Sequence, residues 1–120
     1  MTKVLVVEDN ELNCEVVVRK LERLGYAVRA CPDAESAFAM LAAERPDVIL
    51  MDLSLPGIDG LQATVRLKAD DATRQIPVVA LTAHAMESDR LRALAAGCDA
   101  YLSKPIDFPE LDATIKRLIA

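Results

Sequence analysis

In the stretch "DVILMDLSLPG", residues 47–57, an apolar run delivers the carboxylate of Asp52 just before a turn. An ionised carboxylate is costly to bury unless it is paired or bound to a cation, so the polar residues that end the other apolar runs decide what Asp52 can do. Glu8 and Asp9 follow "KVLVV", Thr82 closes "PVVALT", and Ser103 and Lys104 close "AYLSK". Brought together, three carboxylates repel one another, so either one is protonated or a cation is present. Oxygen donors without thiolate or imidazole select Mg²⁺, which favours one or two carboxylates together with a phosphate oxygen. Lys104 supplies a mobile positive charge, Thr82 a hydroxyl donor, and Asp52 an oxygen nucleophile able to become an aspartyl phosphate. Phosphoryl transfer asks little of a protein beyond such positioning and charge.

Whether these residues meet depends on the elements that carry them. Five short β-rich runs, 3–7, 27–31, 47–52, 77–82 and 100–103, have strand length. Helical spacing fills the intervals. Cys14, Val17, Leu21 and Leu24 gather on one helix face, and Gly25 stands where a C-terminal cap is expected. Further helices are predicted over 34–43, over 61–67, over 85–96 with a stop at Gly97, and over 109–119 with Leu111, Ile115 and Leu118 on one face. Alternating strands and helices with right-handed crossings predict a mostly parallel sheet covered on both faces. The near-continuous apolar strands agree. Five such units fit an α/β flavodoxin-like (CheY-like) doubly wound sheet, five parallel strands in the order 2-1-3-4-5 with five flanking helices. Its switch point lies between the first and third strands at their C-terminal ends, the edge where Glu8, Asp9, Asp52, Thr82 and Lys104 are all expected.

A chain of 120 residues is expected to form one domain spanning 1–120, with no separate output domain. Its 52% hydrophobic and 28% charged residues are the balance of a globular protein rather than a disordered one. A net charge of −5 disfavours nucleic acid and anionic membrane as partners, since both attract Lys and Arg. The N-terminal apolar segment is too short for a signal peptide and no run reaches membrane-spanning length, so a cytoplasmic location is expected. Cys14, Cys31 and Cys98 are odd in number and lack a CxxC pair, which predicts reduced thiols acting as small apolar side chains.

The segments "VVEDN", "MDLSLPGIDG", "ALTA" and "YLSKP" resemble, in order and spacing, the signature segments of bacterial response-regulator receiver domains. The resemblance spans essentially the whole chain, and "EDNELN", "ALTAHAM" and "GCDAYLSKPI" are similar to stand-alone receivers of the DivK type and to receivers of hybrid kinases. It implies that Asp52 accepts a phosphoryl group from a histidine kinase or histidine phosphotransfer protein. It further implies that Glu8, Asp9, Asp52 and the backbone carbonyl of Ser54 hold Mg²⁺, and that Thr82 and Lys104 bind phosphate oxygens. Thr82 and Tyr101 would form the switch, and the Lys104–Pro105 bond would be cis. Leu12, Val16, Pro105 and Ile106 would dock the histidine-bearing helices. Ser54 and His84 would tune phosphate lifetime, and a downstream protein would bind the face of the fourth helix, fifth strand and fifth helix.

Plainer readings stand beside these. Asp9 or Asn10 caps the first helix, Asp52 caps its turn, Lys104 snorkels to solvent, Tyr101 is half-buried packing, and His84 is a surface group. Among rival functions, a metal-dependent phosphatase with an Asp nucleophile needs a second acid two residues later, where this chain has Ser54. A flavin domain would set its phosphate against Glu8 and Asp9 in a chain with no Trp, and no GxxxxGK[ST] stretch supports nucleotide binding.

Overall fold

The computed structural model describes residues 1–55, 57–83 and 86–120. Strands β1 (Lys3–Val7), β2 (Ala27–Cys31), β3 (Val48–Asp52), β4 (Val78–Thr82) and β5 (Ala100–Ser103) alternate with helices α1 (Glu11–Arg23), α2 (Ala34–Ala43), α3 (Gly60–Ala69), α4 (Glu87–Ala96) and α5 (Phe108–Ile119). The strands form one parallel sheet in the order β2-β1-β3-β4-β5, the expected doubly wound α/β arrangement.

Successive strand residues point to opposite faces, and the two faces carry separate cores. Leu5, Val7, Ile49, Met51, Val78 and Ala80 pack with Ala37 of α2, Ala63 and Leu67 of α3 and Ala93 of α4. Val4, Val6, Val48, Leu50, Val79 and Leu81 pack with Val17 and Leu21 of α1 and Leu111 and Ile115 of α5. This is why β3 and β4 are buried at every position.

Helix starts face the strands' C-terminal edge. Asn10, Asp33, Asp59 and Asp107 cap α1, α2, α3 and α5 by accepting from the backbone N–H groups of Asn13, Ser36, Gln62 and Glu110. α2 spans the residues expected for it, α3 and α5 each begin one residue earlier than expected, and Ala85, expected to open the fourth helix, lies outside the described residues. Leu24 departs from the expected buried face: it is the C-cap of α1 and is 45% exposed, because the chain leaves the helix at that point. Cys14 is half-buried, while Cys31 and Cys98 are buried, and all three thiols are free.

The opposite end of the sheet is tied by side chains. Lys68 of α3 donates to the carbonyls of Arg74 and Ile76 and to Asp99, and Asp99 in turn accepts from the N–H of Val78. Across the α1–α5 face, the Tyr26 hydroxyl donates to the Asp112 carboxylate.

Candidate functional site

The parallel register places Val7 beside Met51, so Glu8 and Asp52 emerge from adjacent strands at one edge. Backbone bonding continues past the strand ends: Leu53 N–H donates to Leu81 O at 3.0 Å and Lys104 N–H to Thr82 O at 2.7 Å. Glu8 N–H likewise donates to Cys31 O at 3.0 Å, so Glu8 and Lys104, just past β1 and β5, and Asp52, which ends β3, are held by the sheet rather than by free loops.

Asp52 is 3% exposed and Glu8 7%. Burial at this level requires compensation, and Lys104 provides it. Its Nζ stands 3.0 Å from Glu8 Oε1 and 3.0 Å from Asp52 Oδ2. The second Asp52 oxygen, Oδ1, accepts from the Ser54 N–H at 2.9 Å. Asp9 is exposed, yet one carboxylate oxygen from each of Glu8, Asp9 and Asp52 lies within 4.8 Å of the others. Asn10, not Asp9, caps α1.

Titration divides these groups. Burial, with a hydrogen bond to Asp52, pushes the Glu8 carboxyl up to about 7, partly opposed by Lys104. For Asp52 burial also acts upward, but the Glu8 hydrogen bond, the Ser54 N–H and Lys104 outweigh it and hold the carboxyl below its ordinary value. Burial opposes the charge on Lys104, and its bonds to Glu8 and Asp52 reverse that and raise its pKa. The site relieves carboxylate repulsion with the Lys104 ammonium and, below about pH 7, with a proton on Glu8.

An all-oxygen donor set of this charge and spacing fits a hard cation such as Mg²⁺, with Glu8, Asp9 and Asp52 as its ligands. The Ser54 N–H is engaged with Asp52, so from this residue's backbone its carbonyl oxygen would be the group able to join the cation's ligands. Thr82, 3% exposed, ends β4 opposite Ser103. Burial raises the Tyr101 phenol, the charge of Asp89 adds to this, and a hydrogen bond with Thr82 opposes it. Tyr101 also packs, half-buried, against the core formed with α2, α3 and α4.

The Lys104–Pro105 peptide is cis. A cleft of about 370 Å³ is lined by Glu8, Asn13, Val17, Lys104, Pro105 and Ile106. Leu12 and Val16 stand exposed on α1 at 73% and 52% but do not line this cleft; Asn13 and Val17 do. Asn13 was not singled out from sequence and Val17 was expected only on the core face of α1, because a helix position carries no mark of which neighbouring loop it faces. Glu35 of α2 was also missed: it accepts from the Ile58 N–H at 3.4 Å, in the segment between Asp52 and α3. Met86, Leu91 and Leu94 are exposed apolar residues at and along α4. His84 lies outside the described residues.

The family model for the response regulator receiver domain matches residues 4–116. The polar-differentiation response regulator DivK of Brucella anthropi is 45% identical over 113 residues, covering 94% of this chain and 92% of that protein. A putative response regulator from Chloroflexus aurantiacus superposes with a TM-score of 0.94 at 30% identity, covering 98% of this chain and 97% of that one. The receiver domain of sensor histidine kinase PA1611 from Pseudomonas aeruginosa, solved with magnesium coordinated in its active-site cleft, has a TM-score of 0.90 at 40% identity, covering 98% and 97%.

Proposed function

Since this chain belongs to the response regulator receiver family, we propose that it is a phosphorylation-dependent signalling protein whose acceptor is Asp52. The observation that carries this reading is the three-way contact of Lys104 with Glu8 and Asp52, beside an exposed Asp9 that completes an oxygen triad.

In the reaction, an Asp52 carboxylate oxygen attacks the phosphorus of a phosphohistidine. The P–N bond breaks as the P–O bond forms, and the released imidazole takes up a proton. Lys104 moves from its carboxylate partners to an oxygen of the incoming phosphoryl group, and the Thr82 hydroxyl donates to another. Glu8, Asp9, Asp52 and the Ser54 carbonyl would hold Mg²⁺, which would supply positive charge to offset that of the phosphoryl group. Engagement of Thr82 with the phosphate alters its hydrogen bond with Tyr101, and this links the new dianion to the surface of α4, β5 and α5. The chain catalyses only its own phosphorylation and dephosphorylation, with Ser54 and His84 tuning the latter.

A histidine kinase or histidine phosphotransfer protein is the donor, docking over Leu12, Val16, Pro105 and Ile106. The downstream partner is a protein, in a cytoplasmic setting. In support, no helix among the described residues is long and apolar enough to cross a membrane. The likeness to the PA1611 kinase's receiver favours a second reading, the receiver unit of a hybrid kinase, and the acceptor chemistry is then the same.

The test is mass spectrometry after exposure to acetyl phosphate with and without Mg²⁺. Mg²⁺-dependent addition of one phosphoryl group on Asp52, absent from Asp52→Asn, is expected; undiminished addition in that variant would place the acceptor elsewhere.

A further inference from the structure

Gly60 opens α3, and the space its side chain would need is filled by the backbone that carries Asp52. A Cβ at Gly60 would stand 2.5 Å from the Asp52 carbonyl oxygen, 2.8 Å from Leu53 Cα and 3.0 Å from Leu53 Cδ2. The first two are main-chain atoms and cannot swing aside. Gly60 is not among the glycines with positive φ, so close approach rather than backbone freedom is what requires glycine here.

The helix start that presses on this backbone is itself anchored. Asp59 caps it through the Gln62 N–H at 2.8 Å. The fully buried Thr64 hydroxyl donates to Gly60 O at 2.8 Å, and the buried Cys98 thiol reaches Thr64 Oγ1 at 3.7 Å. Ala63 and Leu67, on the same helix, are embedded in the core. The Asp52 main chain therefore lies against a fixed stop, while its carboxylate bonds to Lys104 and the Ser54 N–H.

We infer that Gly60, held by Thr64, is a positioning residue for the Asp52 carboxylate: direct contact between the start of α3 and the Asp52–Leu53 backbone sets where that carboxylate stands relative to Lys104, Glu8 and Ser54. The inference rests on the reading of Asp52 as acceptor. One methyl group at Gly60 forces the strand end and the helix apart. A misplacement of about 1 Å at a reacting group costs roughly a hundredfold in rate.

The experiment compares Gly60→Ala, Thr64→Val and Thr64→Ser with wild type, using two readouts under conditions where each is folded. One is the rate of Asp52 labelling by acetyl phosphate at saturating Mg²⁺; the other is the Ser54 amide proton shift, which reports the bond to Asp52 Oδ1. Ile115→Val, in the core on the other face, controls for lost stability and should leave both readouts unchanged. Gly60→Ala is expected to label at least about tenfold more slowly and to move the Ser54 amide. Thr64→Val should do the same to a lesser degree, with Thr64→Ser restoring wild-type behaviour. Should Gly60→Ala fail to fold, the Thr64 pair decides. A wild-type Ser54 amide together with labelling within about twofold, in folded Gly60→Ala or else in Thr64→Val, would overturn the inference. Absence of labelling in wild type would instead defeat the acceptor reading, and the Ser54 amide would still decide whether Gly60 positions Asp52.

Discussion

Glu8 and Asp52 share one ammonium yet titrate in opposite directions, burial raising Glu8 to about 7 while its partners hold Asp52 low. The folded protein thus binds more protons than the unfolded chain between the ordinary Glu value of 4.5 and about 7. Stability falls with pH wherever the folded state holds the extra proton. In the metal-free protein, the Glu8 contribution is present below that window and is lost as pH rises through it. Urea titrations across the window are expected to show this decline, and Glu8→Gln should flatten it. Mg²⁺ must displace the same proton, so its affinity should weaken as pH falls below about 7. The meeting of Glu8, Asp9, Asp52 and Lys104 at one edge was legible in sequence because each is a polar group at or just past the end of an apolar run. The places of Asn13, Glu35 and the cleft-facing side of Val17 were not, since they depend on which loop a helix face meets in three dimensions.

Helices and turns show the same division between what is local and what is not. Gly25 and Gly97 were both expected to end helices, and both have positive φ, 96° and 108°. Their surroundings differ in a way no sequence pattern marks. A Cβ at Gly25 meets nothing within 4 Å, whereas one at Gly97 would lie 2.7 Å from Lys68 Cγ, in the side chain that ties α3 to Asp99. Gly25→Ala is expected to cost about 1–2 kcal/mol, the price of a left-handed conformation. Gly97→Ala should cost more, because Lys68 must also shift. Urea midpoints at an unchanged m-value would give both figures, and equal losses would show that Lys68 yields freely. Helix starts were less legible than ends. The "DG" before α3 looks like part of a turn, whereas Asp59 caps the helix and Gly60 already belongs to it.

Across the whole molecule, the sheet separates two cores. Helical spacing marked Val17, Leu21, Leu111 and Ile115 as core-facing, because spacing along a helix is a local property, whereas the near-continuous apolar strands carry no mark of which face each residue meets. Leu111 is fully buried on the α1–α5 side, while most of the core around Asp52 and α3 lies on the other. Leu111→Ala is expected to lose about 2–5 kcal/mol in a single unfolding transition, with Asp52 labelling of the folded fraction unchanged; slower labelling would mean that the far core also shapes the site. The chain has no Trp and two Tyr, and these differ in their bonding. Tyr26 donates to the Asp112 carboxylate, an arrangement that drains the excited state of a phenol. Tyr101 instead shares a hydrogen bond with Thr82, at the sheet edge where Asp52 and Lys104 meet. Ultraviolet emission from this protein is therefore expected to come chiefly from Tyr101, and under the switch proposed above it would serve as an optical reporter without any added label.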